Sequence, residues 1–139
     1  MRKLAVIGLT FAILIAPTVQ VRAAGPGEVM MAGFLLLRVR CPAAGYSIEQ
    51  RADAIQRRAN DLLVLDGIDL SSIRIEKSGS DALVYAGGKL LVTVDPCTAR
   101  ANKTTPELLA RIWAARLRGI YPEVVPKRPK AQTSRPASG

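Results

Sequence analysis

Two cysteines, Cys41 and Cys97, each stand where an apolar run gives way to an amphipathic helical period. That placement constrains the fold more than any other feature. The first passage reads LLLRVRCPAAGYSIEQRADAIQRRAN and the second TVDPCTARANKTTPELLARIWAARL. What the cysteines do depends on the compartment, and the start of the chain speaks to that. Arg2 and Lys3 precede an uncharged, mostly apolar run from Leu4 to Ala16, and Pro17 breaks it before Val21-Arg22-Ala23. This is the layout of a secretory signal peptide cleaved after Ala23. A run of about a dozen residues is too short for a membrane anchor, which needs about 20. The chain is therefore expected to act outside the cytosol, in the periplasm or as a secreted protein.

Outside the cytosol, an even cysteine count reads as a disulfide, and Cys41–Cys97 is the only intrachain pairing available. The alternative is a pair of redox-active thiols. Their wide separation, with neither a second thiol nor a histidine near either one, favours the structural bridge. If the strands that end near them are parallel neighbours, the two sulfurs meet.

The order of elements follows from periodicity. Residues 24–33 read as a flexible Gly- and Ala-containing lead with no clear period. Phe34 to Cys41 alternates as a strand. Ser47 and Gln50 form a capping box, and Ile48, Ala52, Ile55, Ala59, Leu62 and Leu63 then mark one face of a helix. Glu49, Arg51, Asp53, Arg57 and Arg58 are placed on its outer face. Ile73 and Ile75 mark a second strand and Ala82 to Ala86 a third. Gly87-Gly88 is a hairpin turn leading into the apolar strand Lys89 to Val94, which Asp95-Pro96 ends. Thr105-Pro106-Glu107 opens a second helix. Leu108, Leu109, Ile112, Trp113 and Leu117 form its stripe, Gly119 stops it, and Arg116 and Arg118 complement the dipole of its last turn. Residues 126–139 form a basic, Pro-containing tail that cannot bury a core and is expected to be disordered.

The expected fold is α+β, a single two-layer domain over residues 34–125. Its order is β-α-β-β-β-α, with two helices packed on one face of a four-stranded mixed sheet.

Charge and side-chain inventory limit the function. Removing Arg2, Lys3 and Arg22 from 20 basic residues leaves 17 against 11 acidic ones, a net +6. Four of those cations, Lys127, Arg128, Lys130 and Arg135, sit in the tail, so the body is close to balanced. Arg51, Arg57, Arg58, Arg111, Arg116 and Arg118 read as a solvated helix face. No aromatic residues interleave with them as a nucleic-acid platform would require, and no nucleic-acid partner is expected. Trp113 reads as core. The tail can hold to an anionic envelope surface.

There is no histidine, and no nucleophile elbow, phosphate-binding glycine loop or Cys-x-x-Cys pair. Asp66 and Asp69 read as an Asx turn rather than a cation site, since a calcium loop needs more oxygens. No catalytic residue, metal or cofactor is expected. An enzyme built on scattered carboxylates such as Asp66 or Asp95 is the remote alternative.

Three passages resemble a known family in this order: VRCPAAGYSIEQRADAIQRRANDLL, SIRIEKSGSDALVYAGGKLLVTV and TTPELLARIWAARLRGI. They are similar to the extracytoplasmic N-terminal domain of bacterial small-conductance-type mechanosensitive channel proteins, of the cyanobacterial kind. In that family a strand leads to a Ser-x-Glu-x-Arg-Ala helix, and a hairpin ending in Leu-Leu-x-Thr-Val leads to a Thr-Pro-Glu-x-Leu-Ala helix. The likeness spans Phe34 to Ile120. The family then continues into membrane helices and a channel domain, where this chain has its polar tail. It commonly has Asp-Ala where this chain has Pro96-Cys97. The resemblance implies a partner-binding or sensing domain at the envelope, without the channel and with no catalytic residue to carry over. The alternative is a small periplasmic ligand-binding or inhibitor module, whose sign would be an apolar pocket between sheet and helices.

Overall fold

The computed structural model describes residues 24–65 and 67–125; the leader (1–23) and the tail (126–139) expected from the sequence lie outside the described residues. Five strands and three α-helices follow in order. They are β1 (Glu28–Met31), β2 (Phe34–Arg38), α1 (Ile48–Val64), β3 (Arg74–Ser78), β4 (Asp81–Ala86), β5 (Lys89–Val94), α2 (Pro96–Ala101) and α3 (Pro106–Val124). A 3₁₀ turn, Leu70–Ser72, precedes β3.

The class is α+β, but the single four-stranded mixed sheet is overturned. The strands form two separate antiparallel sheets, β1-β2 and β3-β4-β5. The stretch 24–33, expected as a lead, supplies β1, whose Val29 and Met31 are fully buried. Its short run, Glu-Val-Met-Met, lacks the alternation that would have marked it. Pairing with β2 turns it into a hairpin.

The two sheets do not merge because α1 lies against an open edge of each. On one flank of its buried stripe (Ala52, Ile55, Ala59, Leu62), the Gln56 amide bonds the edge of β1. It accepts from Met30 N–H at 2.8 Å and donates to Met30 C=O at 2.7 Å. On the other flank, Arg58 donates to Leu91 C=O at 3.3 Å and Arg51 to Thr93 C=O at 3.2 Å on β5. Arg51 and Arg58 are seven residues apart, two helical turns, so they share a flank. Leu91 and Thr93 are two residues apart on a strand, so their carbonyls point the same way. The facing edges of the two sheets are thus occupied by side chains of a helix.

The helix α3 packs on strands of both sheets. It buries Leu109, Ala110, Trp113, Ala114, Leu117 and Tyr121 against Ala82, Val84, Ala86, Val92, Val94 and the β1-β2 hairpin in one apolar core. Trp113 is core, as its position on the stripe implied. Helix α3 passes Gly119 and ends at Val124. The turn beyond Gly119 is held by tertiary contacts, since the buried Tyr121 hydroxyl accepts from Ile68 N–H at 3.1 Å and donates to Leu62 C=O at 3.2 Å. Arg116 and Arg118 therefore do not occupy a last turn. Arg116 bonds Leu36 C=O at 3.2 Å, while Arg118 bonds Ile73 C=O at 2.6 Å.

Gly27 sets the entry to β1. Its φ is +73°, and a Cβ there would lie 2.1 Å from the Val39 carbonyl oxygen. Val39, the residue after β2, also donates its N–H to Gly27 C=O at 2.8 Å. Gly27→Ala is expected to lower stability by about 2–3 kcal/mol through left-handed strain and loss of this approach. Urea unfolding checks it, and an unchanged midpoint would show that the β1 entry adds nothing.

Candidate functional site

The two strand–cysteine–helix passages come together at the N-terminal end of α1. Ser47 caps that helix as read from the sequence: its hydroxyl accepts from Gln50 N–H at 3.2 Å, and Gln50 Oε1 accepts from Ser47 N–H at 2.9 Å. Gln50 and Arg51 follow within the first turn. On the other passage, Asp95 caps the short α2, accepting from Thr98 N–H at 2.9 Å, with Pro96 at the first helical position and Cys97 next. The sequence pattern had opened its second helix only at Thr105; the six residues of α2 are too few to show a period. Thr105 does cap the helix that follows, α3.

Cys41 and Cys97 are bonded, with S–S 2.04 Å and Cα–Cα 6.0 Å. Parallel pairing of their strands does not bring them together, since β2 and β5 belong to different sheets. They meet because the loop after β2 and the start of α2 converge beside α1. A disulfide belongs to an oxidising environment, which places the folded chain outside a reducing cytosol.

Arg51 is the residue that sequence reasoning placed wrongly. It is not on a solvated face but nearly buried, and it joins both passages. Its guanidinium donates to Cys41 C=O at 2.5 Å and to Thr93 C=O at 3.2 Å, and it pairs with the Asp95 carboxylate at 2.8 Å. It thus touches the backbone of one cysteine and the helix cap two residues before the other. Arg58, Arg116 and Arg118 are exposed, as expected, and each also bonds a backbone carbonyl. The available signal was the seven-residue spacing of Arg51 and Arg58 along the border of the apolar stripe.

Burial pushes the Asp95 carboxyl up, but the bonds from Thr98 and the Arg51 guanidinium outweigh it and hold the group below the usual carboxylate range. Asp95 is therefore a fixed anion near neutral pH, not a proton donor. Among the described residues, the two sulfurs and a carboxylate oxygen of Asp95 lie within 4.8 Å of one another. Sulfurs bonded to each other present no thiolate for a metal, and the carboxylate faces Arg51. Asp69 forms the Asx turn expected of it, accepting from Ser71 N–H at 2.9 Å and Ser71 hydroxyl at 2.6 Å. Asp66 lies outside the described residues.

Along α1 from this junction runs an open cleft of about 860 Å³. Tyr46, Asp53, Arg57 and Arg58 line it together with Arg51 and Asp95. Tyr46, Arg57 and Arg58 are exposed. The described walls hold no serine, cysteine or lysine, and the chain has no histidine.

A family model described as a domain of unknown function (DUF8459) matches residues 28–121. The chain belongs to this family. The DUF8459 match begins at the first residue of β1 and ends at Tyr121, so it takes in both sheets, both cysteines and the Arg51 junction. No curated protein and no solved structure matches the chain. Among the described residues, no helix is long and apolar enough to cross a membrane.

Proposed function

We propose that this DUF8459 chain is an exported, non-enzymatic domain that binds a protein partner at the cell envelope, with the cleft along α1 as the binding surface. One observation carries the reading. The cleft's best-placed carboxylate, Asp95, is committed to Arg51 and Thr98, while its exposed Tyr46 and Arg57 face solvent. An aromatic and an arginine beside a stapled, rigid wall suit recognition of a partner segment better than turnover. The likeness to the extracytoplasmic domain of mechanosensitive channel proteins supports an envelope membrane protein as that partner. The interior is filled by packed apolar side chains, which favours this reading over a ligand-binding module with a pocket between sheet and helices.

The test is a pull-down from an envelope fraction with tagged protein and with a Tyr46→Ala/Arg57→Glu variant. Recovery of one membrane protein in stoichiometric yield, lost in the variant, is expected. Equal recovery by both proteins would move the binding surface elsewhere. Hydrolase turnover abolished by Asp95→Asn would overturn the non-enzymatic reading.

A further inference from the structure

The β1-β2 hairpin presents an apolar tip. Its turn residues, Ala32 and Gly33, both have positive φ, 46° and 90°. Two-residue turns of this kind ordinarily use Asn, Asp or Gly, and a solvated tip is ordinarily polar. Here the whole stretch Val29–Leu37 carries no charged or polar side chain. Phe34 and Leu35, leaving the turn, are 50% and 38% exposed. On α3, Leu108 and Ile112 were expected on the buried stripe. They are 51% and 42% exposed, four residues apart on one side of the helix.

A groove of about 320 Å³ joins these two features, with Leu35, Ile112 and Trp113 among its walls. Three arginines, Arg38, Arg40 and Arg116, also line it, and no carboxylate does. Arg38 is neutralised by Glu28. Arg40 bonds the neutral Asn102 amide at 3.2 Å and Arg116 the Leu36 carbonyl, so both keep their charge while being held in place. Exposed Arg111 precedes Ile112. Glu107, beside Leu108, is engaged by Lys77 at 3.3 Å.

An apolar tip and helix stripe bordered by guanidiniums, two of them held in place without a carboxylate partner, is the pattern of a surface that sits in a lipid interface. Guanidiniums suit phosphate oxygens through paired N–H donors, and anionic leaflets attract them further. We propose that this face docks on an anionic bilayer. Phe34 and Leu35 enter the headgroup–acyl boundary, and Arg40, Arg111 and Arg116 contact lipid phosphates. The face shares no lining residue with the cleft along α1, so a failure here leaves the partner reading intact, and the reverse.

The test uses protein recovered from an exporting host, sedimented with vesicles of phosphatidylglycerol and phosphatidylcholine or of phosphatidylcholine alone. Binding to the anionic vesicles is expected, reduced at least about tenfold by Phe34→Ser/Leu35→Ser. Phe34→Trp, which keeps the apolar bulk, is expected to shift to shorter emission wavelength on binding and to be quenched by brominated acyl chains. If the double variant does not fold, Phe34→Trp decides alone. Three results would overturn the proposal. One is binding of the serine variant equal to that of the parent, which assigns adhesion to charges elsewhere. Another is no binding of the parent to anionic vesicles, which assigns the face to a protein. The third is an unshifted, unquenched emission from Phe34→Trp on binding.

Discussion

Replacing Arg51 by methionine is expected to destabilise the domain by about 3–5 kcal/mol, the cost of leaving a buried charge without its partner. Asp95 would keep the Thr98 N–H bond at 2.9 Å but lose the cation 2.8 Å away, and the Cys41 and Thr93 carbonyls would lose their donor. The pH dependence has a definite sign. In the parent, the lowered Asp95 pKa means its contribution is present above the unfolded value of about 3.9. It is lost as pH falls through the folded value. In Arg51→Met the cation that helps hold the group down is gone, and burial is opposed by the Thr98 bonds alone. The penalty should therefore shrink below about pH 4, where an unpaired Asp95 takes up a proton. Arg51→Met/Asp95→Asn should be less destabilised than Arg51→Met alone, since the amide oxygen can still cap α2 and carries no charge. Urea unfolding of the three proteins at pH 7 and pH 4 measures each part. A loss under about 1 kcal/mol for Arg51→Met, the range of a surface ion pair, would show that the junction is not buried as described.

The second large effect is that of the disulfide. Cys41 and Cys97 are separated by 56 residues, and the chain-entropy model assigns a loop of that length about 4 kcal/mol. For a domain near 100 residues this is a large share of the total stability, and it corresponds to a fall of roughly 15–30 °C in the unfolding midpoint. Cys41→Ala/Cys97→Ala, or reductant added to the parent, should show it. Because Cys97 is exposed, reductant should act on the folded protein. The disulfide and Arg51 tie the same two passages together, so their effects should not add. Adding Arg51→Met to the cysteine-free protein should cost less than adding it to the parent. A midpoint unchanged by reduction would show that α1 and its arginine hold the junction without the covalent bond.

Much of the local structure was legible residue by residue. The Ser47–Gln50 capping box, the Thr105-Pro106 helix start and the Gly87-Gly88 turn, with positive φ at both positions, depend on neighbours within a few residues. So do the apolar stripe of α1 and the alternation of β4. The cysteine pairing was legible for a different reason, since two thiols in an oxidised chain have one partner each.

What failed were inferences from a segment to its surroundings. Glu28–Met31 carries no strand period, and only the adjacent β2 makes it one. Gly119 is a competent helix stop, but the turn beyond it is held by Tyr121, whose hydroxyl partners lie more than fifty residues away in sequence. Leu108 and Ile112 were assigned to the buried stripe of α3, while the contact face of that helix runs through Leu109, Trp113 and Leu117.

The residues alone determined the capped starts of α1 and α3, the later hairpin and the single possible staple, because each is set by short-range hydrogen bonds, backbone preference or covalent chemistry. Only the tertiary structure decided that there are two sheets rather than one, and that Arg51, Gln56 and Arg58 are their edge partners. An edge carbonyl looks like any other carbonyl along the chain. Which side chain reaches it depends on where a helix comes to rest, and that is fixed by the burial of apolar faces over the whole domain.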